Sequence, residues 1–457
     1  MFNGFQNFAY RHLSKMSPRS KNVVKNIAYI SVIKCINIGI SFLIIPLTLN
    51  YLSDSVYGIW LTMYSVVSWL MFFDVGLGNG LRNKLSSAIA NQDTVEAKQL
   101  VSTAYISMSA LSLVLFLVSA LLIGILEWQS ILKLPQDYAY SIKITLLWLC
   151  AAICIRFVVQ LISTICFAIQ QSFLTELINL VSNILSLGMI YFGRTYVTGD
   201  KLLFLVFALA IPPVVVMMAF SAAIFLSKKF SYLRPAFNSF RKSMIDSLVN
   251  LGVKFFILQI CGLVTYALTN FLILRFLNPS DVTDYNIAYK YFSALLILNN
   301  IICAPLWSAF TEAYTKQDYI WIKNCIKKMR LIFMGITAMG LVMMIFSQQF
   351  YDWWLQTDLP ISFWLSLWTY IFILVCCYNG IVISFINGLG KIKLQMMIAV
   401  VITIMYIPSC YVLSVKLGFG VCGFVAFQAL ANLISSIIAT VQTNKLVEKK
   451  ANGIWNQ

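Results

Sequence analysis

Twelve stretches of roughly twenty apolar residues recur along the chain, and this recurrence limits the fold more tightly than any short motif. They lie at about 27–47, 56–73, 101–126, 142–168, 173–192, 202–226, 250–274, 286–308, 331–347, 362–386, 394–413 and 420–441. A helix needs about 20 predominantly apolar residues to cross the hydrocarbon core of a bilayer. The runs are too long for membrane strands and lack the alternation of a barrel strand. The expected fold is an all-α polytopic membrane protein of about twelve transmembrane helices. Composition agrees, with 60% hydrophobic and 11% charged residues, where soluble domains carry about 25% charged.

The net charge is +17. On a soluble chain this would point to nucleic acid. On a membrane chain it reads as a positive-inside bias plus attraction for anionic lipid or an anionic substrate, and no nucleic-acid partner is expected. With a cytoplasmic N-terminus, the inside segments hold 23 of the 33 lysines and arginines, among them Arg82, Lys84, Lys228, Lys229, Lys327, Lys328 and Lys391. The outside loops hold six, together with acids such as Glu127, Asp200 and Asp352. Both termini are therefore placed in the cytoplasm, which requires an even number of spans. The basic opening segment lacks a short apolar core followed by a small-residue cleavage site, so no cleaved signal peptide is expected.

Eleven cysteines fall almost wholly inside apolar runs, and they read as small buried hydrophobes kept reduced. The single histidine, His12, has no metal-ligand partner at motif spacing. No metal or other cofactor is expected.

The halves of the chain can be laid over each other. The stretch from Leu52 matches the stretch from Leu277 at an offset of 225 residues without a gap. Tyr64 falls on Tyr289, Ser68 on Ser293, Gln92 on Gln317, Asp93 on Asp318 and Lys98 on Lys323. Both copies start on the same side, so the repeat is parallel, as in one class of secondary transporter. The expected organisation is a basic cytoplasmic segment (1–26), an N-terminal lobe of six spans (27–226), a basic cytoplasmic linker (227–249), a C-terminal lobe of six spans (250–441) and a cytoplasmic tail (442–457).

Phe73–Lys84, FDVGLGNGLRNK, is glycine-rich and basic. It fails as a nucleotide motif because Leu81 occupies the last glycine position of GxGxxG and no strand precedes it. The preferred reading is glycines that end a helix and let the chain turn along the membrane. A direct hold on a substrate phosphate is the alternative.

FDVGLGNGLRNKLSSAIANQD from Phe73, FTEAYTKQD from Phe310 and NGLGKIKLQ from Asn387 resemble the polysaccharide flippases. These translocate O-antigen or capsule repeat units and belong to the multidrug/oligosaccharidyl-lipid/polysaccharide exporter superfamily. The resemblance implies two six-helix lobes around a central cavity. It implies a substrate of short oligosaccharide on polyprenyl pyrophosphate, moved by alternating access across the bacterial inner membrane for O-antigen, capsule or exopolysaccharide assembly. Membrane lipids, a glycan polymerase and chain-length proteins are the further partners it brings.

Four basic residues lie within the runs: Lys34, Arg156, Lys254 and Lys290. A charge at the bilayer centre costs about 2.5–3.5 kcal/mol on insertion scales, so such residues tend to face protein or water. Helical spacing groups Lys34 with Asn37 and Ser41, Arg156 with Gln160 and Ser163, Lys254 with Asn250, Cys261 and Thr265, and Lys290 with Ser293. Glu176, Asn179, Asn183 and Ser186 form an acidic-polar stripe on span 5. The functional reading is a cationic, hydrogen-bonding site for pyrophosphate built from Arg156, Lys34, Lys254, Lys290, Asn37 and Gln160. Lys254 and Lys290 lie near span ends, where snorkelling to the interface is an equal alternative. Glu176 is a candidate for ion coupling, or a salt-bridge partner for Arg156 or a loop lysine. Asp74 is a helix-end contact or a gate. Trp128, Trp353, Trp354 and Trp364 read as interface anchors.

Two other functions compete. An efflux carrier for organic cations would need acids among its buried polar groups, and the runs hold mostly bases. A membrane glycan polymerase or ligase would need a long outer loop with catalytic residues, and the longest here, about 127–141 and 348–361, carry no paired-acid arrangement.

Overall fold

The computed structural model describes residues 17–51, 63, 64, 67, 70, 76–128, 139–197, 200–277, 279–355 and 361–457. These residues are helical almost throughout. In the first half, α1 is Pro18–Tyr51, α2 Leu77–Ala90, α3 Thr94–Ile125, α4 Ala139–Val159, α5 Leu161–Ala168, α6 Phe173–Tyr196 and α7 Lys201–Leu226. In the second half, α8 is Lys242–Gly262, α9 Thr269–Phe276, α10 Pro279–Thr315, α11 Tyr319–Ile345, α12 Ser347–Leu355, α13 Phe363–Leu389, α14 Lys393–Tyr411 and α15 Val421–Val447. Two π-turns, Leu263–Ala267 and Val412–Lys416, continue α8 and α14.

Among the described residues, eleven helical segments are long and apolar enough to cross a membrane. They coincide with eleven of the twelve predicted runs. The twelfth, 56–73, lies almost wholly outside the described residues, as does Asp74. The chain is a multi-pass membrane protein.

Several helices start well before their apolar runs. The first begins at Pro18 rather than 27, because Ser17 caps it through the Ser20 amide (3.3 Å) and proline suits the first helical position. α3 begins at Thr94 rather than 101, capped by Asp93 on the Glu96 amide (2.8 Å). The outer loop expected over 348–361 is helical in its first part: α12 is tied down by buried Tyr351, whose hydroxyl lies 3.2 Å from the Ser366 hydroxyl.

The repeat appears in backbone detail. Gln92 and Gln317 both take left-handed φ, +60° and +55°. Each is followed by an aspartate whose amide donates to a carbonyl five residues back, Asp93 to Ala88 (3.0 Å) and Asp318 to Ala313 (2.8 Å). Each aspartate then caps the next helix, Asp318 through the Trp321 amide (3.1 Å). This is a left-handed helix stop followed at once by an N-cap.

The chain divides into two compact units, Met1–Gly252 and Val253–Gln457. The first has two apolar cores, one around Leu81, Leu100, Ile162 and Leu233 and another around Leu146, Leu149, Ile190 and Leu205. The second has one, around Phe292, Phe372, Ile373 and Phe424. The stretch 227–249 is not a free linker. Leu233 sits in the first unit's core, and the Ala236 and Arg241 amides donate to Ser102 and Thr103 of α3 (3.1 and 3.2 Å). Outward faces of the spans expose leucine, isoleucine and valine, as on α3 at Leu113, Leu117 and Leu121. Lipid accepts that surface as readily as a protein core does.

The glycines of Phe73–Lys84 serve packing. Gly76 is the left-handed cap that starts α2 (φ +68°), and any side chain there would strike the Gly252 carbonyl. A Cβ at Gly80 would lie 2.7 Å from the Leu248 carbonyl. Rather than ending a helix, these glycines open one and let it lie backbone-to-backbone on α8.

Candidate functional site

The polar stripes of α1 and α6 meet inside the first unit. The two helices run side by side in the same direction, so their contacts rise in step. Buried Asn26 donates to the Gln170 carbonyl (2.9 Å) and accepts from the Phe173 amide (3.2 Å). Further along, Lys34 Nζ lies 3.5 Å from Glu176 Oε1. Next, Asn183 Nδ2 donates to Asn37 Oδ1 (2.7 Å). Lys34, Asn37 and Glu176 are thus brought together. Among the described residues, the ion-pair partner of Glu176 is Lys34, a span residue, rather than Arg156 or a loop lysine. Side-chain exposures of 28% and 20% leave both members of the ion pair reachable. The side chain of Ser41 lies outside those described.

Arg156 sits in the last turn of α4. Its Nε is buried and has no hydrogen-bond partner. Gln160 occupies the break between α4 and α5, where its amide donates to the Arg156 carbonyl (2.9 Å) and its carbonyl accepts from Ser163 (2.9 Å). The break fixes the guanidinium one turn before a change of helix. Lys254 is half-buried on α8, and Lys290 is exposed on α10 with Ser293 bonded to its carbonyl (2.8 Å). Trp353 and Trp364 are exposed, and Trp128 bonds the Leu122 carbonyl (3.4 Å).

The second unit contains a polar assembly that charge-based reading missed. Buried Gln428 donates to the Thr265 carbonyl (2.8 Å) and to the Thr269 (2.9 Å) and Tyr406 (3.2 Å) hydroxyls. One turn on, Asn432 donates to the Tyr266 hydroxyl (3.0 Å) and faces Asn379 Nδ2 at 3.5 Å. The π-turn Leu263–Ala267 supplies Thr265 and Tyr266, and such turns often mark functional positions. The available signal was Gln428, Asn432 and Ser436 at four-residue spacing on the last span.

The polysaccharide biosynthesis protein family matches this chain over residues 23–309, more than half its length. The chain belongs to that family. Within the polysaccharide biosynthesis proteins, the matched region covers Lys34, Arg156, Glu176, Lys254 and Lys290. A Yersinia pseudotuberculosis protein named for O-antigen export is 23% identical over 296 residues, 63% of this chain and 64% of that protein. The match therefore spans a little under two thirds of that relative. Among solved structures, the Vibrio cholerae MATE transporter VcmN in its bent form superposes with a TM-score of 0.75 at 16% identity, covering 96% of this chain and all of the other. An outward-facing multidrug resistance MATE transporter of the MOP superfamily gives 0.74 at 13%, with the same coverage. This polysaccharide biosynthesis protein has the MATE transporter fold.

Proposed function

We propose that the chain is a flippase that carries polyprenyl-pyrophosphate-linked oligosaccharide from the cytoplasmic to the outer leaflet of a bacterial inner membrane, with both termini in the cytoplasm. The observation that carries this reading is Arg156, a mid-span guanidinium with a buried, unpartnered Nε, in a member of a polysaccharide biosynthesis family. Pyrophosphate is a compact multiple anion, and a guanidinium binds it with charge-assisted hydrogen bonds. Lys34 joins it when pyrophosphate displaces Glu176. Lys254 and Lys290 are cationic substrate-binding groups of the second unit, and in the first unit Asn37 and Gln160 bind oligosaccharide hydroxyls. Glu176, released from Lys34, is the coupling or gating group, with Asp74 a second gating group. A glycan polymerase and chain-length proteins take up the flipped unit.

The fold shared with multidrug carriers favours organic-cation efflux as a second reading. A cation carrier needs an acid whose charge is not already balanced, and Glu176 is paired with Lys34. The test is leaflet transfer of a short pyrophosphate-linked oligosaccharide in sealed liposomes. Wild type should transfer it and Arg156→Ala should not. Transfer by both would leave Arg156 a structural role, and movement of organic cations alone would replace the flippase by the carrier. An outer-side cross-link between the two six-span halves should abolish transfer if access alternates.

A further inference from the structure

A cavity of about 130 Å³ lies within the second unit, between the π-turn after α8 and helices α13, α14 and α15. That volume is slightly below the roughly 150 Å³ of an engineered cavity that admits benzene, so it limits any guest to at most one six-membered ring. Its polar lining consists chiefly of Thr265, Tyr266, Asn379, Gln395, Thr403 and Asn432. No lining residue carries a formal charge.

The hydrogen-bond accounting of this lining is lopsided. Asn379 Oδ1 and Gln395 Oε1 are buried and have no partner. The hydroxyls of Thr265 and Thr403 spend their protons on their own helices, on the Cys261 (2.8 Å) and Ala399 (2.7 Å) carbonyls. They can only accept from a visitor. Unpartnered buried acceptors cost about 1–3 kcal/mol each, so the lining favours a guest that donates several hydrogen bonds at once. A cation would also donate, but no carboxylate is present to balance it. A phosphate would find no base. A hydroxyl both donates and accepts, so a polyol also suits the amides if their oxygens and nitrogens are exchanged. Tyr266 adds a ring beside these groups.

We infer that this cavity is a subsite for a single uncharged sugar ring, separate from the basic groups of the first unit. The inference rests on the flippase reading for its ligand class, and it adds a selectivity: the ring held here bears neither a carboxylate nor an ammonium. The test uses the purified full chain in nanodiscs, with saturation-transfer NMR on neutral methyl hexosides and N-acetylhexosaminides. Methyl glucuronide and glucosamine serve as the charged counterparts. A neutral glycoside should bind and both charged sugars should fail. Asn379→Leu and Gln395→Leu should each weaken binding roughly ten-fold, the loss of about one hydrogen bond. Gln395→Glu should gain glucosamine, which separates a lost contact from a damaged fold. Equal binding of all three sugar types, no binding of any neutral glycoside, or signals indifferent to the variants would overturn the subsite. Vesicle transfer keeps the two readings apart. Normal transfer of the pyrophosphate-linked oligosaccharide without glycoside binding removes the subsite alone. Glycoside binding without transfer removes the flippase and leaves the subsite.

Discussion

Asn26 shows how much one buried amide can organise. It holds the Gln170 carbonyl and the first amide of α6 at once, at a turn where Gln170 itself takes a left-handed φ of +59°. Asn26→Ala should destabilise the protein by about 1–3 kcal/mol, because the Phe173 amide loses its acceptor and the Gln170 carbonyl keeps only the longer contact from Asn22. Asn22→Ala, whose bonds to Gln170 are 3.3 and 3.4 Å, should cost less. Thermal unfolding in detergent ranks the two. At the ion pair, Glu176→Gln frees Lys34 and should change transfer without abolishing folding; an unchanged transfer rate would remove Glu176 from the cycle. Lys34 and Glu176 were legible in sequence because a charge inside an apolar run is rare and expensive. Their pairing was not, since it depends on α1 and α6 lying side by side across some 140 residues of chain. The hydroxyls and amides of the second unit were harder still: uncharged and scattered from Thr265 to Asn432, they form a set only once four helices are packed.

The helices themselves were the most legible level, for a physical reason. Lipid offers no partner to a backbone amide, so an apolar run of spanning length has few alternatives to a helix. Boundaries were less legible, because capped ends such as Ser17–Pro18 and Asp93–Thr94 lie beyond any apolar window. The matched Gln–Asp pairs were visible as identities, but glutamine has no propensity that announces a left-handed helix stop. Gln92→Gly and Gln317→Gly should therefore hold or raise stability, while valine at either site should cost about 1–2 kcal/mol. Unfolding midpoints that order valine above glycine would contradict the turn assignment. Gly76→Ala should be far more damaging than Gly124→Ala. The first meets the Gly252 carbonyl at a left-handed φ, whereas the second meets nothing within 4 Å and lies in the last turn of α3, where alanine suits helical backbone better than glycine. Expression and unfolding of the two variants side by side check this.

On the scale of the whole molecule, the chain joins a MATE transporter fold to membership of a polysaccharide biosynthesis family, and its polar groups differ in kind between the units. Within the spans, the first unit holds the Lys34–Glu176 pair and an unpartnered guanidinium nitrogen, while the second gathers neutral amides and hydroxyls around its cavity, apart from Lys254 and Lys290. The C-terminal segment is also part of the second unit's structure: the Lys393 amide bonds the Gln457 carbonyl (3.2 Å), Gln442 bonds the Trp455 carbonyl (3.2 Å), and Lys445 lies over the Trp455 ring (4.0 Å). Trp455→Ala should lower the unfolding temperature, and an unaltered midpoint would show that this packing carries no stability. The Lys34–Glu176 pair has an electrical meaning as well. Each elementary charge moved across a membrane is worth about 2.3 kcal/mol per 100 mV. As a pair the two sum to zero, so this pair adds no electrical work when α1 and α6 shift together through the field, and a voltage across the bilayer would act on either charge only if the two moved apart.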